Sequence, residues 1–163
     1  MGQTPTVDIF LTYSNTPITR LLYDNYITNE EDMLNISTLQ DLCYDLGAYY
    51  SVMEMKIQVK TFAPGNLGMR YEAFEKFWNA QESFSKLKLL DARSIRRLQA
   101  AAIFKAYDGS KEGCVKVSNF GFIFKELVEN KHISSKLFFR DVLSMLDESQ
   151  EGVVYLNAFI EWI

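Results

Sequence analysis

The stretch YDGSKEGCV at residues 107–115 returns 39 residues downstream as LDESQEGVV at residues 146–154. The two segments align without gaps, and each places Asp, Ser, Glu and Gly at loop positions one, three, five and six, Val at position eight and Phe at position thirteen. Oxygen-bearing side chains that alternate along a tight turn, with Gly at the bend, are typical of a loop that surrounds a hard cation. The repeat therefore predicts two copies of one structural unit.

Apolar residues recur at helical spacing on both sides of this repeat. From Thr19 onward they fall three and four residues apart, as at Leu39, Leu42 and Leu46, and this pattern predicts about eight short helices. Gly47 is a candidate C-cap, and Ser51 with a Glu three residues later is a capping box that predicts a helix start. We expect an all-α fold.

The two repeated segments at residues 107–115 and 146–154 resemble the EF-hand loop. The chain is similar to the four-hand calmodulin-like proteins, which include myosin-light-chain-like and calcineurin-B-like members. The resemblance extends from residue 19 to residue 163 and has a fainter register in the first half. It implies two lobes of paired EF-hand-like helix–loop–helix units, with short β-bridges between the loops at Leu34 and Met69 and at Val115 and Val154.

The spacing of these four bridge positions predicts the domain organisation. Their separations are 35, 46 and 39 residues, and the longer middle step accommodates an interlobe linker. We expect an N-terminal arm at 1–18, a degenerate EF-hand pair at 19–80, a partly helical linker at 81–96 and a second EF-hand-like pair at 97–163. The arm could be extended or form a short strand.

The chain departs from the family at the calcium ligands. At loop position twelve, where the family has a bidentate Glu, this sequence has Asn119 and Ala158. Lys111 and Lys116 add positive charge to the upstream loop. We therefore expect no metal cofactor and calcium affinities no tighter than roughly 10⁻³ M. The resemblance implies these weak candidate ligands: Asp108, Ser110, Glu112, Asn119, Asp147, Ser149 and Glu151.

Neither catalysis nor nucleic-acid binding is predicted. The sole histidine, His132, falls at a helix junction, and no glycine is part of a phosphate-binding Gly-Lys-Ser/Thr pattern. Cys43 and Cys114 lack the spacing of a zinc site or a disulfide framework. The net charge of −4 disfavours nucleic acid and anionic membrane. We expect a non-enzyme in the cytoplasm.

The function implied by the resemblance is constitutive binding of a partner, such as an amphipathic helix, in the manner of an adaptor or light chain within a larger or cytoskeletal assembly. A calcium sensor with weak sites in the second lobe is the alternative. The candidate groove residues, for which a purely core role is the other reading, are Leu39, Leu42, Met55, Phe77, Phe124, Leu127, Phe138 and Val142.

The N-terminus suggests a third reading. The sequence MGQTPT at residues 1–6 fits the pattern in which Gly2 is N-myristoylated, with Thr6 at the favoured hydroxyl position. A single acyl chain gives only marginal membrane binding without a basic patch beside it. Membrane recruitment of a lipid-anchored regulator is therefore expected only if Gly2 is acylated.

Overall fold

A computed structural model of the chain describes residues 17–27, 32–85 and 91–163, and these are mostly helical. This confirms the all-α prediction in its coarse form. Gly2, most of the predicted arm and residues 86–90 of the predicted linker lie outside the described residues. The described elements are α1 (Ile18–Tyr26), β1 (Leu34–Asn35), α2 (Ile36–Asp45), α3 (Val52–Phe62), β2 (Gly68–Met69), α4 (Tyr71–Ala80), α5 (Glu82–Ser85), α6 (Ala92–Ala106), β3 (Cys114–Lys116), α7 (Val117–Glu129), α8 (Phe139–Leu146), β4 (Val153–Tyr155) and α9 (Leu156–Trp162).

The chain divides into two compact units. The described residues of the first unit lie within Met1–Asp45 and Tyr50–Ile95, and the second unit comprises Leu46–Tyr49 and Arg96–Ile163. Leu46–Tyr49, the first part of the connection between α2 and α3, thus belongs to the second unit. Helix α6 begins in the first unit and continues in the second. None of the described helices is long and apolar enough to cross a membrane.

Among the described residues, each unit has one two-stranded antiparallel sheet that joins its two loops. In the first unit β1 pairs with β2, with Leu34 opposite Met69. In the second unit β3 pairs with β4, with Val115 opposite Val154. The predicted register of all four bridge positions is confirmed. The strands are only two or three residues long, so helix packing supplies most of the buried apolar area.

The core of the first unit is built on a cluster of aromatic rings. Phe74, Phe77 and Trp78 fall on one face of α4, and all three are at most 3% exposed. Phe84 from α5 stacks on Trp78 with the ring centroids 4.8 Å apart. Rings packed in this way bury large apolar areas and add about 0.5–1.5 kcal/mol per pair beyond burial.

Local signals also act as predicted at the start of α3. The Ser51 hydroxyl accepts a hydrogen bond from the Glu54 backbone N–H at 3.1 Å, and the Glu54 carboxylate accepts one from the Ser51 N–H at 2.9 Å. This capping box satisfies two backbone donors that would otherwise have no helical partner. The predicted helix start is confirmed.

The core of the second unit is centred on three rings from three helices. Phe104 of α6 stacks on Phe159 of α9 with centroids 5.1 Å apart, and Phe120 of α7 meets Phe159 edge to face at 5.9 Å. All three rings are fully buried. Phe120 and Phe159 occupy position thirteen of the two repeats, so the repeat contributes both loop and core residues.

Substitution of two glycines, Gly68 in the first unit and Gly121 in the second, should change stability in opposite directions. A Cβ added at Gly68 would lie 2.2 Å from the Leu34 carbonyl oxygen, whereas one added at Gly121 in α7 meets nothing within 4 Å. We expect Gly68→Ala to lower the free energy of unfolding by about 1–3 kcal/mol through overpacking. Gly121→Ala should raise it by about 0.5–1 kcal/mol through helix propensity. Urea unfolding followed by circular dichroism measures both, and equal effects would contradict the β1–β2 geometry.

Candidate functional site

The candidate site is the pair of repeated loops in the second unit, the upstream loop at residues 108–119 and the downstream loop at residues 147–158. Their backbones repeat as closely as their sequences do. At position four, Lys111 and Gln150 have φ of 53° and 55°, and at position six, Gly113 and Gly152 have φ of 74° and 82°. Two left-handed residues at matching places give both loops the same tight bend.

An Asp at position one closes each loop onto its own backbone. The carboxylate of Asp108 accepts hydrogen bonds from the N–H groups of Glu112, at 3.1 Å, and Gly113, at 2.8 Å. The carboxylate of Asp147 accepts the equivalent bonds from Glu151, at 2.9 Å, and Gly152, at 3.0 Å. Charged acceptors make the stronger class of hydrogen bond, so each Asp holds the bend of its loop.

Backbone hydrogen bonds then join the two loops symmetrically. The N–H of Val117 donates to the carbonyl of Gly152 at 3.1 Å, and the N–H of Leu156 donates to the carbonyl of Gly113 at 2.8 Å. Together with the β3–β4 ladder, these bonds tie position six of each loop to the start of the helix that follows the other loop. The geometry of one loop therefore constrains the other.

The carboxylate of Glu151, at position five of the downstream loop, accepts hydrogen bonds from two neighbouring hydroxyls. Ser149 and Tyr155 each donate to a different oxygen of Glu151, both at 2.9 Å. The hydrogen bond to Glu151 raises the pKa of the Tyr155 phenol. The hydroxyls of Ser149 and Tyr155 therefore supply hydrogen bonds to both oxygens of the Glu151 carboxylate.

The residues present do not fit a calcium site of the sensor type. A carboxylate oxygen that accepts one N–H keeps a second lone pair, so the Asp hydrogen bonds alone do not exclude a cation. The missing group is the bidentate carboxylate at position twelve, where Asn119 and Ala158 stand in the first turns of α7 and α9. Within residues 17–27, 32–85 and 91–163, no three His, Cys, Asp or Glu side chains cluster as a metal site.

Most predicted groove residues lie in the hydrophobic cores of the two units. Of the eight, Phe124 is half-buried and Phe138 is 71% exposed. The other six are 0% exposed: Leu39, Leu42, Met55, Phe77, Leu127 and Val142. In the described conformation these six side chains pack internally, and they do not line an open surface.

The sequence analysis missed an exposed apolar surface on α3. Val52, Met53 and Ile57 are 51%, 69% and 60% exposed, and the exposed side chains of Lys56 and Lys60 lie on the same side of the helix. We call these five residues the α3 surface. The four-residue spacing of Met53 and Ile57 in the sequence could have indicated this surface. Residues four apart share a helix face, and this face lies opposite the buried Met55 and Val59.

No protein-family model matches the chain, and no curated protein does.

Removal of a loop-closing carboxylate gives a direct test of the site. We expect Asp147→Ala to lower the free energy of unfolding by about 1–3 kcal/mol, because the variant loses two hydrogen bonds from loop N–H groups to a charged acceptor. Glu148→Ala removes the same charge from exposed position two of that loop and should change stability by less than about 0.5 kcal/mol. Urea unfolding compares the two variants. Equal stabilities would mean that the Asp147 hydrogen bonds do not hold the loop.

Proposed function

We propose that the chain is a non-catalytic, EF-hand-like adaptor that binds a partner protein constitutively. One observation carries the proposal: both loops of the second unit have a closed, paired geometry that depends on their own Asp–amide hydrogen bonds, while position twelve lacks the carboxylate that calcium requires. A loop pair built in this way keeps its shape whether or not calcium rises. Its partner binding is therefore constant rather than switched.

The α3 surface is the partner contact that the exposure pattern favours. Three apolar side chains supply area, and Lys56 and Lys60 lie among them. An amphipathic helix that carries acidic residues beside its apolar face complements this arrangement in both respects. We propose such a helix, presented by a cytoplasmic protein, as the partner. The proposal differs from the groove inferred by resemblance, because α3 offers its outer face while Met55 stays in the core.

Calcium should have little effect on stability. With a dissociation constant of roughly 10⁻³ M, calcium at about 1 mM stabilises the folded chain by only about 0.4 kcal/mol, which corresponds to a rise in melting temperature of about 1–2 °C. A micromolar site would give about 4 kcal/mol and a rise of about 10 °C. Thermal melts in calcium and in chelator separate these outcomes. A rise near 10 °C would replace the adaptor proposal with the calcium sensor.

Restoring the missing carboxylates tests whether the loops derive from calcium sites. We expect the double variant Asn119→Glu, Ala158→Glu to bind calcium more tightly than the wild type, because two bidentate ligands return to the shells. The matched control is Asn119→Gln, Ala158→Gln, which adds the same length without charge and should not gain affinity. Calorimetric titration measures both. Equal, negligible binding would mean that the loop backbones do not position a residue at twelve as EF-hands do.

Partner binding should be independent of calcium and sensitive to charge at the α3 surface. With the full chain as bait in extracts of its source cells, we expect the same partner in calcium and in chelator. Ile57→Glu should weaken capture at least about tenfold, because it buries a charge in the contact. Leu67→Glu is the control, since Leu67 is an isolated residue, 84% exposed, in the α3–β2 connection. Capture in calcium only, or equal loss in both variants, would contradict the proposal.

A further inference from the structure

The segment Leu46–Tyr49 docks on the loop pair of the second unit, although it is remote from the loops in sequence. The side-chain amide of Asn157, at position eleven of the downstream loop, brackets the main chain of Tyr49. The Tyr49 N–H donates to the Asn157 Oδ1 at 2.7 Å, and the Asn157 Nδ2 donates to the Tyr49 carbonyl at 3.0 Å. A primary amide that pairs in this way satisfies both polar groups of one extended residue, as a neighbouring strand would.

The ring of Tyr49 meets the other loop. A Cβ built on Gly113, at position six of the upstream loop, would lie 2.2 Å from Cγ and 2.6 Å from Cδ1 of Tyr49. The equivalent atom on Gly152 in the downstream loop meets nothing within 4 Å. The two loops share their backbone geometry but differ in this contact. Gly113 thus has a second reason to be glycine besides its positive φ.

The rest of the segment is fixed as well. Leu46 is 6% exposed. Gly47 has φ of +92°, and a Cβ built there would lie 3.2 Å from Ile160 and 3.3 Å from Ala101. Leu46 is therefore buried in the second unit, Gly47 lies close to α6 and α9, and Tyr49 contacts both loops.

We infer that Leu46–Tyr49 is a built-in peptide ligand that clamps the loop pair in one conformation without a metal. The main-chain bracket holds position eleven of the downstream loop, and the ring covers position six of the upstream loop, so one residue links both. The class of ligand is an extended peptide that presents an aromatic side chain. The inference deepens the proposed function and rests on it, because a permanently clamped pair is what a constitutive adaptor requires.

Hydrogen exchange of the second unit, measured by NMR in chelator and without partner, tests the clamp. The reporters are the Leu156 and Val117 amides, which donate to the two position-six carbonyls. We expect Tyr49→Ala and Asn157→Ala each to speed exchange at these amides by roughly tenfold, since each removes contacts that close the pair. Tyr49→Phe keeps the ring and should leave exchange unchanged. The Ile123 and Leu127 amides in α7 report whether the unit remains folded.

A matched glycine pair makes the test specific. Gly113→Ala and Gly152→Ala carry similar backbone strain, because both residues have positive φ, but only the first clashes with Tyr49. We expect Gly113→Ala to speed loop exchange several-fold more than Gly152→Ala in the wild-type background. The two should converge in the Tyr49→Gly background, because an Ala at residue 49 would keep its Cβ 2.7 Å from the atom added at Gly113.

Equal effects of the two glycine variants with Tyr49 present, or unchanged exchange in both Tyr49→Ala and Asn157→Ala, would overturn the clamp. Exposed Asn157 makes its variant informative even if the Tyr49 variants fail to fold. The measurement uses neither calcium nor partner. Failure of the clamp is therefore distinguishable from failure of the adaptor proposal, which would appear as calcium-dependent stability or capture.

Discussion

The capture of loop amides by the position-one carboxylates is the interaction on which the second unit depends. Asp108 and Asp147 each hold two N–H groups at the bend of a loop. These bonds fix the left-handed residues in place, and the fixed bends present the position-six carbonyls to the opposite helix starts. The β3–β4 register and the meeting of Phe120 and Phe159 in the core follow from that arrangement. Hydrogen bonds between groups of the protein itself therefore hold the loop geometry.

The hydrogen bonds of Asp108 and Asp147 shape the two loops, whereas calcium ligation would need a further carboxylate at position twelve. In a calcium sensor, the acidic positions both shape the loop and respond to the ion. Here Asp108 and Asp147 bond the loop amides at position one, whereas Asn119 and Ala158 at position twelve carry no carboxylate. Glu151 illustrates the outcome, since its two oxygens accept from Ser149 and Tyr155.

The sequence predicted what is encoded locally or by repetition. The pairing of Val115 with Val154 is correct because the repeat makes the two residues equivalent and the resemblance implies a bridge at that position, and the Ser51 capping box is a short-range signal. The groove candidates combine the apolar periodicity of the helices with the groove that the resemblance implies. Periodicity alone cannot distinguish a core face from an open groove, because that depends on the packing of all helices together. The clamp at Tyr49 lay beyond sequence reasoning, since it joins residues 108 positions apart with no periodic signal.

The central claim is that the paired loops hold their folded geometry without a metal, and the amide spectrum of the loops tests it most directly. The two-dimensional ¹⁵N spectrum in chelator should already contain sharp, dispersed resonances for Glu112, Gly113, Glu151 and Gly152, because each N–H is bonded to an Asp carboxylate. Calcium at about 0.1 mM fills about a tenth or less of a site whose dissociation constant is roughly 10⁻³ M or weaker, so it should leave these positions nearly unchanged. Resonances that are broad or missing in chelator and that appear only with calcium would contradict the account.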